Sequence, residues 1–191
     1  MSPWPRAALS HNPAGLGAIA RFDRVVDDYF EAHLRGRPLV DRVMYSASAA
    51  GDHSMIWLAL AALRGRRSVP AWQPLLRAGA LLGAESAFVN GLVKLAFRRP
   101  RPENGELRPL PLRTPRTSSF PSGHASAAFF SAALLRGRRY GPLYYALAAV
   151  VASSRVHVGI HHASDVVAGA ALGAALGELA KEIFPLAPPK N

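Results

Sequence analysis

Apolar residues recur at helical spacing along most of the chain, and polar or proline-rich breaks divide them into segments. Between Gly17 and Leu34, the residues Phe22, Val25, Val26, Tyr29, Phe30 and Leu34 share one helical stripe, while Arg21, Asp23, Arg24, Asp27 and Asp28 fill much of the rest. That separation predicts an amphipathic helix lying at an interface rather than crossing a bilayer. Gly36 and Pro38 end it. Leu39 to Leu63 reads as one long helix, strongly apolar from Ser54 onward and interrupted earlier by Asp41, Arg42, Asp52 and His53. A spanning helix needs about 20 mostly apolar residues, so this segment crosses a membrane only if its polar groups face other helices. The basic run Arg64, Arg66, Arg67 closes it.

Arg77 to Phe97 is a cleaner apolar span, with Glu85 and Asn90 as polar insertions. Residues 98–121 hold Pro100, Pro102, Pro109, Pro111 and Pro115, a composition that forbids a regular helix and predicts a long functional loop. A short apolar helix follows over Ser122–Leu135, stopped by Arg136, Gly137, Arg138 and Arg139. Leu143–Ala152 leads into a polar turn at Ser153–Ser164, and Asp165–Phe184 is the last apolar helix. Gly169, Gly173 and Gly177 on that helix stand at four-residue spacing, the pattern that lets two membrane helices approach closely. The expected fold is therefore all-α: an integral-membrane bundle of about five transmembrane helices with an N-terminal amphipathic interfacial helix. One domain, residues 17–184, lies between an N-terminal tail, 1–16, and a C-terminal tail, 185–191. Periodicity alone also admits a soluble helical bundle with an Ala-rich core.

Charge sharpens the picture. The 191 residues carry a formal net charge of +11, which favours a polyanionic partner. No zinc-finger spacing, basic heptad helix or aromatic RNA motif accompanies it, so nucleic acid is excluded in favour of an anionic membrane surface or a phosphorylated substrate. The absence of cysteine excludes disulfides and thiolate chemistry. The first twenty residues lack the continuous apolar core of a signal peptide.

Three clusters fall at helix ends that share one side if the helices alternate. They are Lys94 with Arg101 and Pro102; Pro121-Ser122-Gly123-His124; and Ser154-Arg155 with His161 and Asp165. Lys94, Arg101 and Arg155 supply three fixed cations for a phosphoryl group, and arginine binds its paired oxygens bidentately. Ser122 and Gly123 stand at a helix start, where backbone N–H groups can point at an anion. His124 and His161 can divide the roles of nucleophile and general acid. Asp165, four residues after His161, reaches its ring and can fix the tautomer. No cluster of carboxylates or cysteines suits a metal ion. His162 and His157 read as bystanders, and Asp52, His53 and Glu85 as structural partners of interior arginines.

These clusters match the pattern K-x6-R-P, P-S-G-H and S-R-x5-H-x3-D at every specified position, reading KLAFRRPRP, PSGH and SRVHVGIHHASD. The chain thereby resembles the type 2 phosphatidic acid phosphatase superfamily over about residues 22–180. The resemblance implies a metal-independent membrane lipid phosphatase without cofactors. His161 would attack phosphorus, Asp165 would hold His161, and His124 would protonate the leaving oxygen and later activate water. Lys94, Arg101, Ser122, Gly123 and Arg155 would cradle the phosphoryl oxygens.

Small bacterial members of the superfamily resemble this chain in length, and its opening looks like that of actinobacterial relatives acting on polyprenyl-phosphate sugars. A polyprenyl phosphate, pyrophosphate or phosphoryl sugar phosphate is thus the favoured substrate, with phosphatidylglycerophosphate or phosphatidic acid as alternatives. A vanadium-dependent haloperoxidase shares the anion pocket but is soluble and longer. A silent lipid-binding scaffold would have no need of the nucleophile. Lysines and arginines number nine on the side away from the clusters and fourteen on theirs, so the positive-inside rule does not set orientation. The resemblance places the site outside the cytoplasm of a multi-pass cell-membrane protein.

Overall fold

The computed structural model describes residues 17–65, 70, 72–102, 117–137 and 140–184. Both expected tails, most of the proline-rich loop, and Arg66, Arg67, Arg138 and Arg139 lie outside these residues. Among the described residues every regular element is helical. They are α1 (Ala18–His33), α2 (Pro38–Ala50), α3 (Met55–Gly65), α4 (Trp72–Ser86), α5 (Gly123–Leu135), α6 (Gly141–His157) and α7 (Ala163–Ile183).

Three boundaries differ from the periodicity. The helix expected over Leu39–Leu63 is broken in two by a 3-10 turn at Asp52–Ser54, where Ser54 has a φ of 58°. The span expected from Arg77 starts earlier, at Trp72. Past Ser86 it loosens into a π turn, Ala87–Leu92, and then tightens into a 3-10 turn, Val93–Ala96. The polar stretch from Ser153 stays helical to His157 because its polar groups find partners there, and the turn is confined to 158–162. Gly159, with a φ of 67°, lets that turn double back, so that the N–H groups of Ile160 and His161 both reach the Arg155 carbonyl, at 3.1 and 3.2 Å.

The core helix is α5. It is apolar on all sides, as a helix surrounded by others must be, and Ala125, Ala128, Phe130, Leu134 and Leu135 are buried along it. Its thirteen residues extend only about 20 Å, short of a ~30 Å hydrocarbon core. Of the described helices, only α7 is both long and apolar enough to cross a bilayer by itself. It packs on α5 through the glycine stripe. A Cβ at Gly169, Gly173 or Gly177 would run into the backbone carbonyl of Ser122, Ser126 or Phe130 respectively, so α5 is the helix those glycines admit.

The amphipathic α1 lies across the end of the bundle. Val26 and Phe30 pack against Ala152, Val156 and Val166, while Ile19, Val25 and Tyr29 stay exposed. Just beyond α1, the buried Arg35 pairs with Asp27 at 2.6 Å and donates to the carbonyls of Val156 at 2.8 Å and His157 at 3.0 Å. Asp41 on α2 meets the buried His157 at 2.8 Å. The C-terminus of α6 is thus latched to both N-terminal helices.

Gly173→Ala puts a methyl into the Ser126 carbonyl and is expected to cost about 1–3 kcal/mol, the usual penalty of overpacking. Gly83→Ala, where an added Cβ meets nothing within 4 Å, serves as the control and is expected to be neutral or to gain up to about 1 kcal/mol. Unfolding of both in detergent micelles checks this; equal midpoints would contradict close α5–α7 packing.

Candidate active site

All three sequence clusters converge at one end of the bundle. The N-termini of α5 and α7, the C-terminus of α6, the 3-10 turn after α4 and the break between α2 and α3 meet there. They enclose a cavity of about 370 Å³ whose wall includes Lys94, Arg101, Gly123, His124, Arg155 and His161. Lys94, Arg155 and His161 are buried, so the cations are held in place before any anion enters. The Arg155 guanidinium donates to the Ser48 hydroxyl of α2. Arg101 donates through Nη1 to the Ile160 carbonyl and the His161 Nε2, each at 3.2 Å.

The two nitrogens of His161 face different partners. Nδ1 lies 3.4 Å from the Ser119 Oγ and 3.6 Å from Asp165 Oδ2. Nε2 is turned to the Arg101 guanidinium inside the cavity. This arrangement places the proton on Nδ1 and makes Nε2 an acceptor on the cavity side, where its lone pair meets the Arg101 N–H. Burial, helped by Arg101 and Arg155 and opposed by Asp165, pushes the His161 imidazole down to about 3. The ring is therefore neutral at physiological pH, as a nitrogen nucleophile must be.

Asp165 stands behind the cavity wall and is fully buried. Its Oδ2 accepts from the Ser119 hydroxyl at 2.5 Å and from the His162 N–H at 2.9 Å, and its Oδ1 accepts from Arg99 at 2.6 Å. Arg99 in turn pairs with Asp23 of α1 at 2.5 Å. Ser164 completes the group, donating its N–H to Asp23 at 2.7 Å and accepting from Arg99 at 2.7 Å. The carboxylate is thus rigid and wholly committed to orienting its neighbours.

Ser122 and Gly123 part company. Ser122 is buried, caps α5 by accepting from the Ala125 N–H at 3.4 Å, and spends its own N–H on the Asp165 carbonyl at 3.0 Å. Its N–H is engaged within the fold, and of the two residues Gly123 is the one on the cavity wall. A Cβ at Gly123 would meet the end of the exposed Asn90 side chain at 2.6 Å, so Gly123 and Asn90 approach closely at the cavity wall. His124 pairs through Nε2 with Asp52 at 2.7 Å.

Asp52 and Glu85 were read as partners of arginines. Asp52 holds His124 instead, and the buried Glu85 accepts from the Ser126 hydroxyl. His162 contributes its backbone N–H to Asp165 and lies 3.3 Å from the Pro100 carbonyl through Nε2. His157 belongs to the α2–α6 latch. The side chain of His53 lies outside the described residues. Sequence reasoning missed Ser48, Ser119, Arg99 and Asp23. The available signal was a carboxylate, Asp23, beside the apolar stripe of α1, and a second arginine two positions before Arg101.

A family model described as the PAP2 superfamily matches residues 74–187. The decaprenylphosphoryl-5-phosphoribose phosphatase of Mycobacterium tuberculosis is 37% identical over 155 residues, covering 76% of this chain and 84% of that protein. The Mycolicibacterium smegmatis protein of the same name is 36% identical over 143 residues, covering 73% and 76%. Among solved structures, a transmembrane PAP2-type phosphatidylglycerolphosphate phosphatase from Bacillus subtilis superposes with a TM-score of 0.66 at 23% identity, covering 88% of this chain and 87% of that one. Aquifex aeolicus LpxE superposes with a TM-score of 0.65 at 23% identity, covering 88% and 97%. At such identity the two structures share the fold with this chain.

The depressed basicity of His161 has a direct spectroscopic consequence. Its ring ¹⁵N shifts are expected to remain those of neutral imidazole from pH 8 down to pH 5, where an unperturbed histidine of pKa about 6.5 is mostly protonated. A titration midpoint near 6.5 would show that the ring is not shielded.

Proposed function

Because this chain belongs to the PAP2 superfamily and is a lipid phosphate hydrolase of that family, we propose that it removes the terminal phosphate of a polyprenyl-phosphoryl sugar phosphate through a phosphohistidine on His161, with no metal ion. The observation that carries the mechanism is the division of the His161 ring: Nε2 toward the Arg101 guanidinium, Nδ1 toward Ser119 and Asp165.

Lys94, Arg101 and Arg155, with the start of α5 at Gly123, bind the three equatorial oxygens of the phosphoryl group. Nε2 of His161 attacks phosphorus in line while the bond to the leaving oxygen breaks. His124 gives that oxygen its proton. Asp165 keeps the Nδ1 proton in place and balances the positive charge that grows on the ring. His124, now neutral, takes a proton from water, whose oxygen displaces Nε2 and releases inorganic phosphate. The buried Lys94 and Arg155 stabilise charge where it accumulates and need little reorganisation to do so.

Substrate choice rests on the relatives, which are named for decaprenylphosphoryl-5-phosphoribose, and on space beside the site. A second cavity of about 660 Å³ shares Asn90, Lys94, Arg101 and Thr117 with the first and adds Leu95, Phe97 and Arg98. Leu95 and Phe97 are exposed apolar residues. A cationic chamber with an apolar lip suits a headgroup that is itself anionic and continues into a lipid chain. The bilayer is crossed by five passes, α2 with α3, α4 with its loosened turns, α5, α6 and α7, and α1 rests in the interface. The active-site end faces away from the cytoplasm.

Phosphate release from a panel of lipid phosphates in excess EDTA tests the reading. The panel comprises a polyprenyl-phosphoryl sugar phosphate, polyprenyl pyrophosphate, phosphatidylglycerophosphate and phosphatidic acid. Release is expected to resist EDTA, to be fastest on the sugar phosphate, and to fall by more than about 10⁴-fold in His161→Ala, the scale of loss when a nucleophile is removed. Activity abolished by EDTA, or retained by His161→Ala, would overturn the mechanism; a faster phosphatidylglycerophosphate or phosphatidic acid would overturn the substrate. Orientation is read separately by single cysteines at Thr117 and Ser118, expected to react with an impermeant maleimide from outside the cell; labelling only after permeabilisation would reverse it.

A further inference from the structure

The break between α2 and α3 has no cause in the hydrophobic pattern, which runs on from Leu39 to Leu63. Three features at that break converge on one atom pair. Ser54 adopts a φ of 58°, a left-handed conformation that non-glycine residues seldom hold without a compensating gain. Gly51 lies so close to the His124 ring that a Cβ there would meet its Cδ2 at 3.0 Å and Val151 Cγ1 at 2.9 Å. Between them, Asp52 places Oδ1 2.7 Å from His124 Nε2.

We propose that Asp52 is the positioning residue of the leaving-group acid: it fixes the His124 ring and sets which of its nitrogens faces the leaving oxygen. The proposal rests on the reading of His124 as that acid. With Nε2 bonded to Asp52, Nδ1 is the nitrogen left to face the leaving oxygen, so the tautomer is set by the carboxylate. The cavity otherwise opposes a protonated His124, because Lys94, Arg101 and Arg155 already line it. Of the acidic groups near them, Asp165 is engaged with Arg99, Ser119 and the His162 N–H, and Glu85 accepts from Ser126. Asp52 is the carboxylate in direct contact with the His124 ring. In the phosphorylation step a proton leaves His124 for the departing oxygen. In the hydrolysis step His124 regains one from the attacking water, and the Asp52 contact keeps the ring in place through both steps.

The test is leaving-group dependence of kcat/KM, which reports the steps up to departure of the leaving group. Asp52→Asn is compared with wild type on a lipid alkyl phosphate and on 4-nitrophenyl phosphate, whose leaving group departs without protonation. The variant is expected to lose about 10–100-fold on the alkyl phosphate, part of the 10²–10⁴-fold that general acid catalysis supplies, and severalfold at most on the aryl phosphate. A defect in folding or in phosphate binding would lower both alike, and equal losses would overturn the proposal, as would no loss on either. If Asp52→Asn fails to fold, Asp52→Ser is read by the same ratio. His124→Ala separates the underlying reading. If it too shows no leaving-group dependence, the assignment of His124 as the acid fails; if it shows dependence and the Asp52 variants do not, the Asp52 proposal fails alone.

Discussion

Burying an ionised carboxylate in a bundle of apolar helices costs several kcal/mol unless every lone pair is met. At Asp165 they are met by a hydroxyl, a backbone N–H and a guanidinium, each from a different part of the chain. Satisfying that one charge gathers the site. Ser119 brings the end of the proline-rich loop, His162 starts α7, and Arg99 brings the segment after α4. Asp23 on α1 then balances the arginine, so α1 is joined to Asp165 by two ion pairs in series. The peptide of the same residue is used as well, since the Asp165 carbonyl accepts the Ser122 N–H and aligns α5 with α7.

That alignment explains why the glycine stripe begins where it does. Gly169 sits one turn beyond Asp165 and faces the Ser122 carbonyl, and Gly173 and Gly177 continue the contact at Ser126 and Phe130. The helix that starts at Gly123 and the helix that carries Asp165 are therefore held at backbone contact. Any larger residue in the stripe would separate Gly123 from His161 as well as loosening the core. Packing and the geometry of the cavity are here one constraint.

Much of this could be read from the chain because the chemistry imposes residue types at fixed spacings. His161 and Asp165 stand four residues apart, and the motif residues Lys94, Arg101, Gly123, His124, Arg155 and His161 do line one cavity, whereas the Ser122 N–H is taken by the Asp165 carbonyl. The amphipathic character of α1 and the small-residue face of α7 follow from periodicity. What escaped was of two kinds. The helix break at Gly51–Ser54 runs against the apolar pattern, since it is stabilised by a contact with His124 seventy residues away in sequence. The partners Ser48, Ser119, Arg99 and Asp23 are ordinary residues locally and acquire meaning only when the helices pack. The error over Asp52 had the same origin: a carboxylate among many arginines was assigned to one of them, and the fold gave it to a histidine.

The partnership between distant parts of the chain bears on where the enzyme begins. Every motif residue lies between Lys94 and Asp165, which invites the view that this stretch is a self-sufficient catalytic unit to which the first fifty residues were appended. Yet Arg99 is balanced by Asp23, Arg155 is held by Ser48, and His124 by Asp52. A fragment starting after residue 52 would keep all the recognised signatures while removing one partner each from Arg99, Arg155 and His124. The contacts that fix the motif side chains therefore extend over the full arc from α1 to α7, well beyond the stretch that carries the signatures.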